Sequence, residues 1–259
     1  MKICVLVKQV PDSDSLIKIA DDNLTIIEDG ITSTTNECDT YALEEALLLK
    51  EKHGGEVVVC SMGKDSAVQV VKDGLAKGAD RGIMITDEKF ENFDALATSK
   101  VFASVLKDEN FDLIFTGLQS DDTGNAQVGV ILAELLNTSH SSLVIGTEMV
   151  GDTVIKVKRE LEGGWAQWTE LDLPASLTIQ SGLNKPRYAS LRGIMMMKKK
   201  PLQTMSASDI DLDDIATKAE TKQIYVPQKT KETEFISGSP DEIVEQLMEK
   251  LTNEIKVLG

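Results

Sequence analysis

This sequence is poor in the residues that build metal centres, disulfide frameworks and membrane spans. Its two histidines, His53 and His140, fall at a helix end and in a turn-like segment, which argues against a metal centre. Its three cysteines, Cys4, Cys38 and Cys60, lie far apart and form no C-x-x-C pair. No disulfide framework is expected, and a reducing compartment, the cytoplasm, fits best. Cys4 and Cys60 sit inside apolar runs and read as buried thiols of two strands. No apolar run approaches the roughly 18 residues of a membrane helix. The chain opens on a strand-like run rather than a signal sequence, so a soluble, unprocessed protein is expected. Positive charge is scarce: 27 Lys and Arg face 43 Asp and Glu, a net charge of −16. That argues against nucleic acid and anionic membrane surfaces, both of which need concentrated Lys and Arg. Such acidity suits salt-sensitive docking to a protein partner through a local basic patch, and it also suits simple solubility. G-x-G-x-x-G after the first strand and G-x-x-x-x-G-K-[ST] anywhere are both missing, so neither dinucleotide fingerprint is present.

What is present is a strand–helix alternation. At 259 residues the chain is long enough to bury roughly 70–75% of its unfolded surface. Ile3–Val7, Val57–Cys60, Gly82–Ile85 and Asp112–Thr116 are short apolar runs that read as buried strands, and Leu24–Glu28 reads as a further short strand. Helices are expected over Asp39–His53, Asp65–Lys77 (ended by Gly78), Phe93–Lys107 and from about Gly124 to Leu136. The pattern implies an α/β fold: an open, mostly parallel, Rossmann-like sheet with helices on both faces. From Ser142 four strand-like runs, Leu143–Val150, Thr153–Arg159, Trp165–Leu171 and Ser176–Ile179, follow around Gly turns, and they predict an appended antiparallel meander. Beyond Leu191 dense apolar patterning fades, until Ser239-Pro240-Asp241-Glu242 marks the start of a last helix. The expected division is a nucleotide-binding domain over residues 1–188, then a loop and extended C-terminal arm over 189–259 that wraps a partner subunit.

The turn after Leu113–Thr116 reads G-L-Q-S-D-D-T-G-N-A-Q-V-G, Gly117 to Gly129, and leads into a helix. Backbone amides at such a turn, with the positive end of the helix, make an anion site, although many turns of this kind bind nothing. Ser120, Thr123 and Asn125 add donors, and Gly124 permits close backbone approach. Leu6, Asn36 and Met62 share the same carboxyl edge of the sheet, where ligands of open sheets gather. S-M-G-K-D-S, Ser61–Ser66, is similar to the S-G-G-x-D-S loop of ATP pyrophosphatases, but it follows a later strand and Met62 crowds the position of a glycine.

The stretch Leu183–Gly193, L-N-K-P-R-Y-A-S-L-R-G, is the most telling. Asn184 and Pro186 oppose a regular helix, and the segment offers the apolar Leu191 with the basic Lys198–Lys200 behind it. On shape alone it could be an ordinary connection or a docking loop. Its string resembles the recognition loop of the electron transfer flavoprotein β subunit, in which the leucine after R-Y-A-[ST] anchors dehydrogenases. Val5–Asp12 (VLVKQVPD), Tyr41–Glu51 (YALEEALLLKE), Leu75–Ile83 (LAKGADRGI) and Arg159–Gly164 (RELEGG) resemble the same family. The resemblance implies a heterodimer with a flavin-binding α subunit, passing electrons from donor dehydrogenases to a downstream acceptor, with no substrate turnover by this chain. It implies AMP in this subunit and FAD held mainly by the α subunit. The AMP pocket carries over to Leu6, Asn36, Asp39, Met62, Gly117, Gln119, Ser120, Asp122, Thr123, Gly124, Asn125, Ala126, Gln127 and Val128. Partner docking carries over to Arg187, Tyr188, Ala189, Ser190, Leu191 and Arg192, with Arg187 or Arg192 as steering charges. Ser13 and Cys38 would approach the flavin, where relatives often carry aromatic residues. A bifurcating branch, with a second FAD in place of AMP and NADH as donor, has D-x-D-T-A-Q where this chain has D-T-G-N-A-Q, Asp122–Gln127. The AMP-binding branch is therefore favoured.

Overall fold

The computed structural model describes residues 1–211, 215–228 and 233–257. The chain divides into two compact units, Met1–Lys222 and Gln223–Gly259. In chain order the first unit contains β1 (Lys2–Leu6), the short hairpin β2 (Gln9–Pro11) and β3 (Ser33–Thr35), α1 (Glu37–His53), β4 (Glu56–Met62), α2 (Val68–Lys77) and β5 (Arg81–Ile85). It continues with α3 (Ala95–Leu106), β6 (Leu113–Gly117), α4 (Val128–Leu135), β7 (Ser139–Val150), β8 (Val154–Glu160), β9 (Ala166–Asp172), β10 (Ala175–Ile179), α5 (Leu191–Met197) and β11 (Leu202–Met205). The second unit holds α6 (Pro240–Glu249), started by a reciprocal Ser239–Glu242 capping box with proline in the first turn.

Nine strands form one sheet in the order β11-β5-β4-β1-β6-β10-β7-β8-β9. Pairing is parallel from β11 to β7 and antiparallel through β8 and β9. The central strands are apolar on both faces because both are covered. Ile3 and Val5 pack toward Leu43 and Leu47 of α1 and Val71 and Leu75 of α2. Cys4 and Leu6 pack toward Val101 and Phe102 of α3 and Leu132 of α4. The doubly covered, mostly parallel sheet is thus as expected, and all three thiols are free and buried.

Four local expectations are corrected. Residues 24–28 form only an isolated bridge, Ile19 to Ile26, because Leu24 and Ile27 stay exposed and the Asp22 carboxylate instead turns the chain by accepting from the amides of Leu24 and Thr25. The fourth run of the expected meander, β10, lies inside the parallel sheet between β6 and β7; all five of its residues are buried, as a central parallel strand requires. The helix expected from Gly124 begins at Val128, since Gly124 (φ +61°) and Ala126 (φ +52°) are left-handed and a right-handed helix cannot pass through them. Leu183–Ser190 stays non-helical as expected, but the last three residues of that segment open α5, which the Ser190 hydroxyl caps by accepting from the Gly193 amide at 3.0 Å, and β11 then adds the far edge of the sheet beside β5.

Candidate functional site

The carboxyl ends of β1, β4 and β6 place Leu6, Met62 and Gly117 along one edge. Asp39, in the first turn of α1, ties that edge together. Its carboxylate accepts from the Lys8 amide at 2.7 Å and from the Gly117 amide at 2.8 Å. Burial pushes the Asp39 pKa up to about 7, against the pull of those amides and of the Lys8 ammonium. A β-carbon on Gly117 would overlap Asp39 Oδ1 and the Cys38 side chain, so close packing on α1 is what demands glycine here. Asp39 is therefore engaged with the protein's own backbone.

Asn36, buried just ahead of α1, does the same for the loop after β6. Its Nδ2 donates to the Gln119 carbonyl at 2.9 Å and its Oδ1 accepts from the Asp121 amide at 2.8 Å. The Asp121 carboxylate in turn accepts from the Glu37 amide at 3.0 Å. Held at that point, the loop runs exposed from Asp121 to Gln127. The hydroxyls of Ser120 and Thr123 meet at 2.9 Å, and the Gly124 amide donates to the Ser120 carbonyl at 2.9 Å. Asp122 accepts from the Thr123 amide and pairs with Lys8, whose Nζ is 2.7 Å from the carboxylate and 3.4 Å from Ser120 Oγ. The hydrogen bonds from Lys8 and Ser120 hold the Asp122 carboxyl below the usual carboxylate range, although burial alone would raise it.

At the end of the loop, Gln127 provides no side-chain cap for α4, which leaves the first-turn amides of that helix open to an anion. Leu6, Met62 and Val128 belong to one apolar cluster on the α3–α4 face of the sheet. Asn36 and Asp39 stand at the start of α1, which packs on the other face. The arrangement therefore offers an apolar side, a hydroxyl pair, a cation and uncapped helix-start amides around one edge. Lys8 was not anticipated; its signal was a basic residue just past the first strand, facing an acidic turn. Of the two residues expected nearest a flavin, Ser13 is exposed while Cys38 is buried against Gly117.

The groups of S-M-G-K-D-S do not converge on one point. Lys64 pairs with Glu28 at 2.6 Å, Asp65 accepts from the Thr86 hydroxyl at 2.9 Å, and the Ser66 hydroxyl bonds Gln9 at 2.8 Å. In the other candidate segment, Tyr188 and Leu191 are 96% and 82% exposed. Arg187 is not a free steering charge: its Nε and Nη2 donate to Glu44 at 2.8 and 2.9 Å, and Nη1 pairs with Glu51.

A sequence model of the electron transfer flavoprotein domain matches residues 23–210. The chain belongs to the electron transfer flavoprotein family. Among its relatives, the electron transfer flavoprotein subunit beta of Methylophilus methylotrophus is 38% identical over 99% of each chain. The protein of the same description from Bacillus subtilis is 36% identical over the full length of both. The acryloyl-CoA reductase electron transfer subunit gamma of Anaerotignum propionicum is 34% identical, over 97% of this chain and 98% of that protein. The full-length matches place this electron transfer flavoprotein chain with the β subunits, which are electron carriers. No helix among its described residues is long and apolar enough to cross a membrane.

Proposed function

We propose that this chain is the β subunit of a cytoplasmic, heterodimeric electron transfer flavoprotein that binds AMP as a structural nucleotide. The partner α subunit holds most of the FAD, and the bound flavin supplies the redox chemistry. This chain's residues place the nucleotide and meet the donor dehydrogenase, and electrons leave for a downstream acceptor.

One observation carries the nucleotide reading: the loop from Gln119 to Gln127 is clamped from behind by Asn36 yet open in front, with Lys8, Ser120, Thr123 and the uncapped start of α4 along it. Those groups suit a phosphate monoester, and Leu6, Met62 and Val128 suit an adenine ring. Gly124 and Asn125, standing where the bifurcating branch has a second acid and a threonine, favour AMP over a second FAD. Dehydrogenase docking is assigned to Leu191 with Tyr188, Ala189, Ser190 and Arg192, supported by the exposure of Leu191 on a capped helix start.

A bifurcating subunit with a second FAD and NADH as donor is the second reading, favoured by the trailing A-Q-V-G, Ala126–Gly129, that such members share. Co-expression with the α subunit, denaturation of the purified complex and quantification of released nucleotides separates the two. Equal amounts of FAD and AMP are expected; FAD in twofold excess without AMP would reverse the assignment.

A further inference from the structure

Helix α1 buries two successive carboxylates, Glu44 and Glu45, at 6% and 8% exposure. An ionised carboxylate out of water is costly unless it is matched by charge and hydrogen bonds. One stretch of chain, Asn184 to Arg187, answers both. Glu44 accepts from the Arg187 backbone amide at 3.0 Å and from its guanidinium at 2.8 and 2.9 Å. Glu45 accepts from Asn184 Nδ2 at 3.0 Å, and also from the Thr147 hydroxyl. The same Asn184 nitrogen reaches the Tyr41 carbonyl at 3.0 Å.

The far side of the segment is seated on α2. A β-carbon on Gly193 would overlap the Ala76 carbonyl oxygen, so α5 lies in direct contact with the last turn of α2. Lys200 closes that turn by donating to the Leu75 carbonyl at 2.8 Å and to the Ala79 carbonyl. The residues between these anchors are Tyr188 to Arg192, and they include the exposed Tyr188 and Leu191. An apolar side chain held in water by a segment fixed at both ends is arranged for a partner before the partner arrives, which reduces the ordering cost of binding.

We propose that Glu44 is a positioning residue for partner docking, holding the Tyr188–Arg192 segment through Arg187 in the shape that presents Leu191. The proposal rests on the docking reading above. It assigns Arg187 the role of a strut, and its planar fork matters because a lysine offers a single nitrogen where Arg187 sets Nε and Nη2 on the two Glu44 oxygens and Nη1 on Glu51.

The test uses the co-purified αβ complex as electron acceptor for a donor dehydrogenase that reduces the wild-type complex, with the complex concentration varied. Glu44→Gln should raise KM for the complex about tenfold with kcat unchanged, the scale of re-ordering a few side chains. Flavin content, flavin absorption spectrum and the rate of reduction by dithionite should stay as in wild type. Arg187→Lys should raise KM likewise, despite keeping its charge. Gly193→Ala, which disturbs the other anchor, should raise KM in the same way, and Arg187→Lys decides the matter if Glu44→Gln does not fold. If Leu191→Ala raises KM while a folded Glu44→Gln leaves it unchanged, the positioning role of Glu44 is overturned, whatever Gly193→Ala does. If Glu44→Gln releases flavin, the clamp serves the flavin-bearing complex and the proposal is likewise overturned. If Leu191→Ala has no effect on KM, the docking reading itself falls.

Discussion

Lys8 and Asp122 form a bidentate ion pair across the turn after β6, with Nζ 2.7 Å from each carboxylate oxygen. Asp122 would otherwise repel a phosphate from a loop whose hydroxyls and helix-start amides suit one. With Lys8 beside it, the acid is neutralised and an ammonium lies 3.4 Å from Ser120 Oγ. The pair is also partly exposed, so its own contribution to stability is small.

Lys8→Met is therefore expected to weaken AMP binding by about tenfold, roughly 1.4 kcal/mol, with little change in folding. Adenosine, lacking the phosphate, should bind wild type and variant alike. Calorimetric titration of the nucleotide-depleted complex with each ligand checks this. An unchanged AMP-to-adenosine ratio in the variant would remove Lys8 from the site.

Asn36→Ala removes both bonds that clamp the loop, to the Gln119 carbonyl and the Asp121 amide. Leaving those groups unpaired should cost about 1–3 kcal/mol. Hydrogen exchange should accelerate at Asp121 to Gly124, and AMP should be lost on gel filtration. Protection equal to wild type across that loop would show that Asn36 is not its clamp.

Asp39 makes stability depend on pH with a defined sign. Its folded-state pKa, about 7, lies above the ordinary 3.8, so the folded chain holds a proton that the unfolded chain releases between those values. Stability from this group is undiminished below about pH 4, falls as pH rises and reaches its lowest level above about pH 7; the whole change is on the order of 4 kcal/mol. Asp39→Asn abolishes this slope while leaving one of the Lys8 and Gly117 amides without its acceptor. The advantage of wild type over the variant, measured as a difference in Tm of the complex, should shrink between pH 5 and pH 8. An advantage that widens over that range contradicts the raised pKa.

Leu191→Ala deletes most of an 82% exposed side chain and no internal contact of the core. Folding should change by less than about 0.5 kcal/mol, as for surface substitutions in general. Bound FAD and AMP should be unaltered, while KM of a donor dehydrogenase for the complex rises. Reduction kinetics that match wild type at every complex concentration would refute the anchoring role.

Much of the fold was legible because the pattern is local. Ile3–Val7 and Val57–Cys60 are apolar at successive positions, which happens when helices cover a strand on both faces. The spacing of Ala42, Leu43, Ala46 and Leu47 marks α1 for the same reason. The order of the blocks VLVKQVPD, YALEEALLLKE and NKPRYASL was enough to indicate the family, and the turn after β6 was legible as a site from its small polar residues before a helix.

Other decisions lay beyond local pattern. Ser176–Ile179 reads alike as a meander strand or a central one; only its fit between β6 and β7 chooses, through burial on both faces. Gly124 and Ala126 could have started a helix, and the tether of Asn36 to residues 119 and 121, fixed from a distant part of the chain, accompanies their left-handed turn instead. Lys8 meets Asp122 across 114 positions, and Glu44 meets Arg187 across 143. The sequence by itself determined the central strands, the helices that cover them and which family they spell. Which charges are spent on holding loops and which are left for ligands was decided only by the tertiary structure, because ion pairs form between side chains that packing brings together, whatever their separation along the chain.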